Sequence, residues 1–237
     1  MQPITCQVCH TENDPHGTIC TSCGGYLQNK LPNLDLFHMV WKMIENPFEA
    51  FRMIVMAEHK NYSVFLFSLV GIAFVFDGFW FFRVGERFSN ILPLIASGVL
   101  IGLVIGSLLA PMIAVIHWFA LKIFSKKAAY RISLGVTSYS TIPIILSFAI
   151  VLPIELMTFG MYLFTFNPHP MTIKPFEYIV LISLNGILLL WSAVLSLIGT
   201  RISGQISWWK AVITTMVFWG ITGIALFIFS SWAVKYI

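Results

Sequence analysis

The chain is 237 residues long, 58% hydrophobic and only 10% charged, with a mean hydropathy of +0.85. Soluble domains carry about a quarter charged residues, so a water-soluble globule is excluded, and the length accommodates several membrane spans of about 20 residues each. The formal charge of +4 comes with no dense Lys/Arg run and no nucleic-acid motif, which argues against nucleic acid as a partner.

All four cysteines fall within the first 23 residues, as Cys6-Gln-Val-Cys9 and Cys20-Thr-Ser-Cys23. Two Cys-x-x-Cys pairs on either side of a turn-forming segment have the ligand spacing of a small structural zinc site. The loop 11–19, with Asn13, Asp14, Pro15 and Gly17, lets the halves fold together. Thiolates from Cys6, Cys9, Cys20 and Cys23 would fill a tetrahedron and leave no open position for water, so the expected zinc is structural. His10 or His16 could replace one thiolate, but the cysteine set makes that unnecessary and both read as surface histidines. The start of the chain is polar rather than basic then apolar, so no cleavable signal peptide is expected and the first apolar span has to serve as signal anchor.

Residues 24–33 read as a linker with Gly and Pro punctuation. The stretch 34–61 follows, broken at Asn46-Pro47, where an Asn cap and a Pro at the first helical position start a second helix. Phe48, Phe51, Ile54 and Val55 recur at helical spacing, with Glu49, Arg52, Glu58 and Lys60 mostly elsewhere. This pattern predicts an amphipathic helix in the membrane interface or, equally, one packed on the protein's own membrane domain. Five spans then follow, over 62–82, 94–123 with Pro111 as a candidate kink, 142–166 after a short helix from Tyr130, 176–198 and 211–234. The fold class is all-α, a polytopic helical membrane bundle with a small N-terminal zinc ribbon. Its expected divisions are 1–30, 31–61 and 62–237.

Loop charges predict the orientation. With the N-terminus in the cytosol, ten basic residues fall on the inner side (Lys30, Lys42, Arg52, Lys60, Lys122, Lys126, Lys127, Arg131, Arg201, Lys210). Only four, Arg83, Arg87, Lys174 and Lys235, fall outside. The cysteines then sit in a reducing compartment, where zinc is favoured over disulfides. The C-terminus is expected outside. Trp208 and Trp209 beside Lys210, and Trp232 near Tyr236, fit interfacial belts.

Ionisable groups inside spans are costly and are therefore candidate functional residues. Asp77 lies in the outer part of span one, Glu155 near the middle of span three, and His117 towards the inner end of span two. Asp77 and Glu155 could share a proton or bind a cation; the alternative is that each is neutral or hydrogen-bonded in a packed bundle. Asn185, Thr137, Ser138 and Ser140 read as interhelical hydrogen-bonding groups. Gly98, Gly102 and Gly106 place small residues on one face of span two, facing either another span or another protein. Pro143, Pro153 and Gly160 invite a broken third helix, although no internal repeat accompanies them. There is no His-Glu-x-x-His, no Gly-x-Ser-x-Gly and no Gly-x-x-x-x-Gly-Lys, and Asp77 is the only aspartate in the spans. No enzymatic activity is expected.

Three stretches resemble the Yip domain family. Asn46-Pro47-Phe48-Glu49-Ala50-Phe51 looks like its Pro-containing helix before the membrane. Tyr130-Arg131-Ile132-Ser133-Leu134-Gly135 continuing through Tyr139 to Pro143 is similar to the run that leads into its third span. Trp191 to Gly199, with Ser207 to Ala211, looks like the junction of its fourth and fifth spans. The likeness covers roughly 46–234 and implies five helices and a cytosolic N-terminus, with 62–237 as the Yip-like domain. It supplies no catalytic residues. The knuckles resemble short bacterial zinc ribbons, which Cys20-x-x-Cys23-Gly24 matches; the first knuckle departs from the pattern, with His10 where Gly is usual.

The expected function is a non-enzymatic accessory or scaffold subunit in the cell membrane that binds other membrane proteins. An ABC-type export system is the most concrete partner, on association rather than on residues. The alternative is a small proton- or cation-coupled transporter or channel using Asp77 and Glu155. A third reading is lipid organisation by the 47–60 helix.

Overall fold

In the computed structural model, residues 3–6, 8–15, 17–25, 27, 33–126 and 128–233 are described below. His16, Lys30, Lys127, Lys235 and Tyr236, and residues 28–32 of the expected linker, lie outside them. The head contains one antiparallel pair, β1 (Ile4–Thr5) and β2 (Glu12–Asn13), with Ile4 opposite Asn13. Two short helices follow, α1 (Leu36–Glu45) and α2 (Pro47–Met56). The corner between them is built by capping. Asp35 accepts from the His38 amide at 2.7 Å, and Asn46 accepts from the Glu49 amide at 3.2 Å with Pro47 in the first turn. Lys42 and Glu49 close the corner at 3.2 Å.

Among the described residues, five segments are long and apolar enough to cross a membrane. The first two are α3 (Ser63–Phe81) and α4 (Ile91–Lys122), joined through a 3-10 turn at Val84–Arg87. The third runs from Tyr130 to Phe164 and comprises α5 (Tyr130–Ser140), α6 (Ile142–Leu146), a π turn (Ser147–Val151), α7 (Leu152–Phe159) and a 3-10 turn (Gly160–Phe164). A short α8 (Pro170–Ile173) leads into α9 (Pro175–Gly204) and α10 (Trp208–Ala233). The helix expected from Tyr130 is thus the first third of span three rather than a separate element. The π turn has a chemical cause. Pro153 has no N–H to return to the preceding turn, and the Leu152 amide bonds Ser147 O one residue further back than an α-helix would. Pro111, by contrast, leaves α4 helical throughout.

The glycine face of α4 is used inside the chain. A Cβ on Gly102 would lie 2.4 Å from Ile72 Cα, and one on Gly106 would lie 2.1 Å from Phe67 O. Gly71 approaches the same two residues from α3, and Ser68 and Ser107 share a hydroxyl contact of 2.8 Å across the seam. Backbone therefore touches backbone, the packing that small residues permit in lipid. Phe51 and Ile54 of α2 are fully buried against α5 and α9, with Gly199 making room for the Phe51 ring. Phe48 remains partly exposed and meets the Trp208 ring edge-on at 6.1 Å. On α1, Phe37, Trp41 and Ile44 are exposed. Lys60 closes the end of α2, donating to the carbonyls of Ile54 and, at 2.6 Å, Ala57.

Besides a small cluster of Cys6, Cys20 and Leu27 in the head, the core of the helical part divides in two. A near cluster joins α1 and α2 to α5 and α9 around Phe51, Tyr139 and Leu195. A far cluster joins α3, α4, span three and α9 around Phe76, Phe164 and Leu181.

Candidate functional site

The four cysteines come together. Sγ atoms of Cys6 and Cys23 are 3.6 Å apart, those of Cys9 and Cys20 are 3.4 Å apart, and all four lie within 4.8 Å of one another. Sulfurs at the usual Zn–S distance of about 2.3 Å form a tetrahedron with edges of about 3.8 Å, so the set fits one thiophilic metal ion. No described cysteine is in a disulfide. The Thr11 hydroxyl and backbone hold the Cys9 thiol down at about 6. Cys23 is pushed up to about 12, because the lowering by the Gly25 amide is outweighed by the Cys9 and Cys6 thiols. Protons are thus unevenly held among the four sulfurs, and a metal ion would displace them.

Both knuckles turn in the same way. The His10 amide donates to Cys6 O at 2.9 Å and the Gly24 amide donates to Cys20 O at 3.0 Å. Each of these residues is left-handed, with φ of +57° at His10 and +71° at Gly24. His10 therefore occupies the position of the usual glycine in conformation as well as in sequence, at a backbone cost glycine avoids. A residue that composition alone assigns to the loop, Asn13, ties the knuckles together. Its Oδ1 accepts from the Thr21 amide at 2.9 Å and its Nδ2 donates to Thr11 O at 2.7 Å and towards Cys20 Sγ at 3.5 Å. Its place in β2 next to the cysteines could have flagged it only once the pairing was known.

The intramembrane candidates separate. Asp77 and Glu155 line one cavity of about 510 Å³ bounded by α3, span three, α9 and α10. Glu155 is buried and accepts from Asn185 Nδ2 at 2.8 Å, while Asn185 Oδ1 accepts from Ser147 in the π turn. Asn185 is an interhelical hydrogen-bonding group, and it also stands in the cavity wall. His117 is elsewhere, fully buried where α4 meets α9 and α10. Its Nε2 is 3.0 Å from Thr200 Oγ1, which in turn donates to Ser196 O at 2.7 Å, and Phe218 packs edge-on to its ring at 5.2 Å. Ser138 donates to Ser63 at 3.0 Å, another interhelical bond.

Around the far end of α3, Arg83 is unusually placed for a cation, only 9% exposed and left-handed. It donates to Leu163 O at 2.9 Å and lies 2.8 Å from His169 Nε2, which keeps His169 low in pKa through burial and the neighbouring guanidinium. These contacts lock the turn after α3 to the end of span three. Linear order alone presents Arg83 only as a loop charge.

A family model, the Yip1 domain, matches residues 41–230. No curated protein and no solved structure matches the chain. The match begins inside α1 and ends inside α10, so it takes in four spans and nearly all of the fifth and leaves the cysteine head outside. With five membrane-type helices, and with most of its length under that match, the chain belongs to the Yip1 domain family.

Proposed function

We propose that this protein is a non-enzymatic accessory or scaffold subunit of a membrane protein complex, with a structural zinc ion held by Cys6, Cys9, Cys20 and Cys23. The observation that carries the reading is the head. Four thiols lie within 4.8 Å of one another, the number that fills a tetrahedral structural site, on a module set ahead of a family membrane domain. Such a module presents a shaped surface rather than a reaction centre. The bias of basic residues supports a cytosolic head and an external C-terminus in the cell membrane. Partners are other membrane proteins, and an ABC-type export system is the concrete candidate.

The test is affinity purification of the full chain from mild detergent, followed by mass spectrometry. Transporter subunits should be enriched over a control polytopic protein of equal abundance, and their loss is expected with Cys6→Ser. A chain that enriches no membrane protein over that control would end the scaffold reading. One zinc per chain is expected by metal analysis of protein purified without chelator. A second reading, a small proton- or cation-coupled transporter, is supported by the two carboxyl groups that share the far cavity.

A further inference from the structure

The far cavity has one-sided chemistry. Its volume of about 510 Å³ is in the range of small-molecule sites. Asp77 and Glu155 line it together with Asn185, Ser147 and Ser230, and no Lys, Arg or His does among the described residues. Asn185 is already committed on both sides, to Glu155 and to Ser147. Asp77 therefore receives no hydrogen bond from any described residue, and Glu155 receives only the one from Asn185. Arg83 does not supply the missing cation, because its guanidinium is bound to Leu163 O and His169.

Much of the rest of the wall is aromatic. Phe81 and Phe227, both more than half exposed, stand 6.2 Å apart by ring centroid, and Phe82 and Phe227 stand 6.4 Å apart. Ring faces attract cations, and a carboxylate in a span needs a counter-charge. An anion would meet repulsion here, and a neutral apolar guest would leave the carboxyl groups uncompensated. A bare divalent ion needs about six or more oxygen ligands converging on it, whereas this wall sets five oxygen-bearing side chains among sixteen aromatic, aliphatic or glycine residues. A positive centre on an apolar body meets both halves of the wall.

We propose that this cavity binds hydrophobic organic cations, with Asp77 and Glu155 countering the positive centre and the phenylalanine rings covering the apolar body. This goes beyond the scaffold reading and requires no transport. It is also independent of partner binding, which a separate purification reads, so either can fail alone.

The experiment uses full-length protein in an uncharged maltoside detergent. Equilibrium binding of tritiated tetraphenylphosphonium is compared with tetraphenylborate, which has nearly the same shape and the opposite charge. Saturable phosphonium binding is expected, with affinity for the borate at least tenfold lower. Asp77→Asn and Glu155→Gln should each weaken phosphonium binding at least tenfold, while the exposed Met157→Leu on α7 leaves it unchanged. Gly223→Phe is a second route: a Cβ there meets nothing within 4 Å, so a ring has room to occupy the cavity while both carboxyl groups are kept, and binding should be lost. Melting and elution profiles identify any variant that has failed to fold, and Gly223→Phe then decides. Equal affinity for the two ions, or undiminished binding in folded variants, would reduce the cavity to an apolar crevice for lipid chains and overturn the proposal. Absence of saturable phosphonium binding to the unaltered protein would also overturn it, leaving a partner's helix as the occupant.

Discussion

The half of the bundle beside α1 and α2 and the half remote from them both hold polar side chains at membrane depth, but they treat them differently. In the near half, His117 Nε2, the Thr200 hydroxyl, Ser196 O and the Thr215 hydroxyl form a chain of contacts, with His117 Nδ1 and the Ser196 hydroxyl buried without a partner among the described residues, and Ser192 donates to Ser140 O at 2.8 Å. In the far half, Asp77 and Glu155 stand in a wall that leaves about 510 Å³ open. The cost of placing polar atoms in lipid is met by close packing with partial hydrogen bonding in one case, and falls beside an open space in the other. An ionisable residue in a span therefore becomes a strong functional candidate when its surroundings stop short of closing on it. By that criterion the carboxyl pair, with open space beside it, is the stronger candidate and the closely packed His117 the weaker.

The comparison presupposes one rigid frame, and Gly102→Leu should break it. Its Cβ alone would meet Ile72 Cα at 2.4 Å, so α3 and α4 would have to separate. A loss above about 3 kcal/mol is expected, read as loss of a monodisperse elution peak and of cooperative melting. Normal melting of this variant would show that the seam is not the frame. The next largest effect should come from the near half. Thr200→Val keeps shape but removes the contact to His117 Nε2, the bond to Ser196 O and the acceptor for Thr215, at about 1–3 kcal/mol. In the far half, Glu155→Gln can keep an amide partner in Asn185 beside an open cavity, and should cost less than about 1 kcal/mol. Equal melting shifts for these two variants would remove the distinction between the halves.

The smallest effect concerns pH at the near rim. Burial, with help from Arg131, lowers Lys60 from 10.5 to about 8. Between those values the unfolded chain holds a proton that the folded chain has released, so this lysine makes stability rise with pH through that window. Below about 8 both states are charged and the contribution is flat. Melting curves from pH 7 to 10 should show a rise that is reduced in Lys60→Met; an identical slope in the variant would dissociate the effect from Lys60.

Much of this molecule was legible before any coordinates. Runs of about 20 apolar residues become helices in lipid because every backbone group must be satisfied within its own segment, so the five spans are a local property. The Asn46-Pro47 corner is local too, since a cap and a missing N–H act within one turn. The pairing of Cys6–Cys9 with Cys20–Cys23 follows from spacing and the turn residues between them. Other features depended on neighbours that linear order does not reveal. Whether the Gly98, Gly102 and Gly106 face met another span or another protein was decided by Gly71 and Ser68, more than thirty residues upstream of Gly102 and Ser107 in the chain. Apolar sequence names no preferred partner among equally apolar helices.

Composition by itself determined that the chain is a membrane bundle with a cysteine head, because hydrophobic transfer and ligand spacing are short-range rules. Tertiary structure alone decided which polar residues meet. It brought Asp77, Glu155, Asn185 and Ser147, from three separate spans, to one cavity and sent His117 to a closed junction. The reason is geometric: depth along a helix can be read from the sequence, but rotation about its axis is set by the packing of all its neighbours at once.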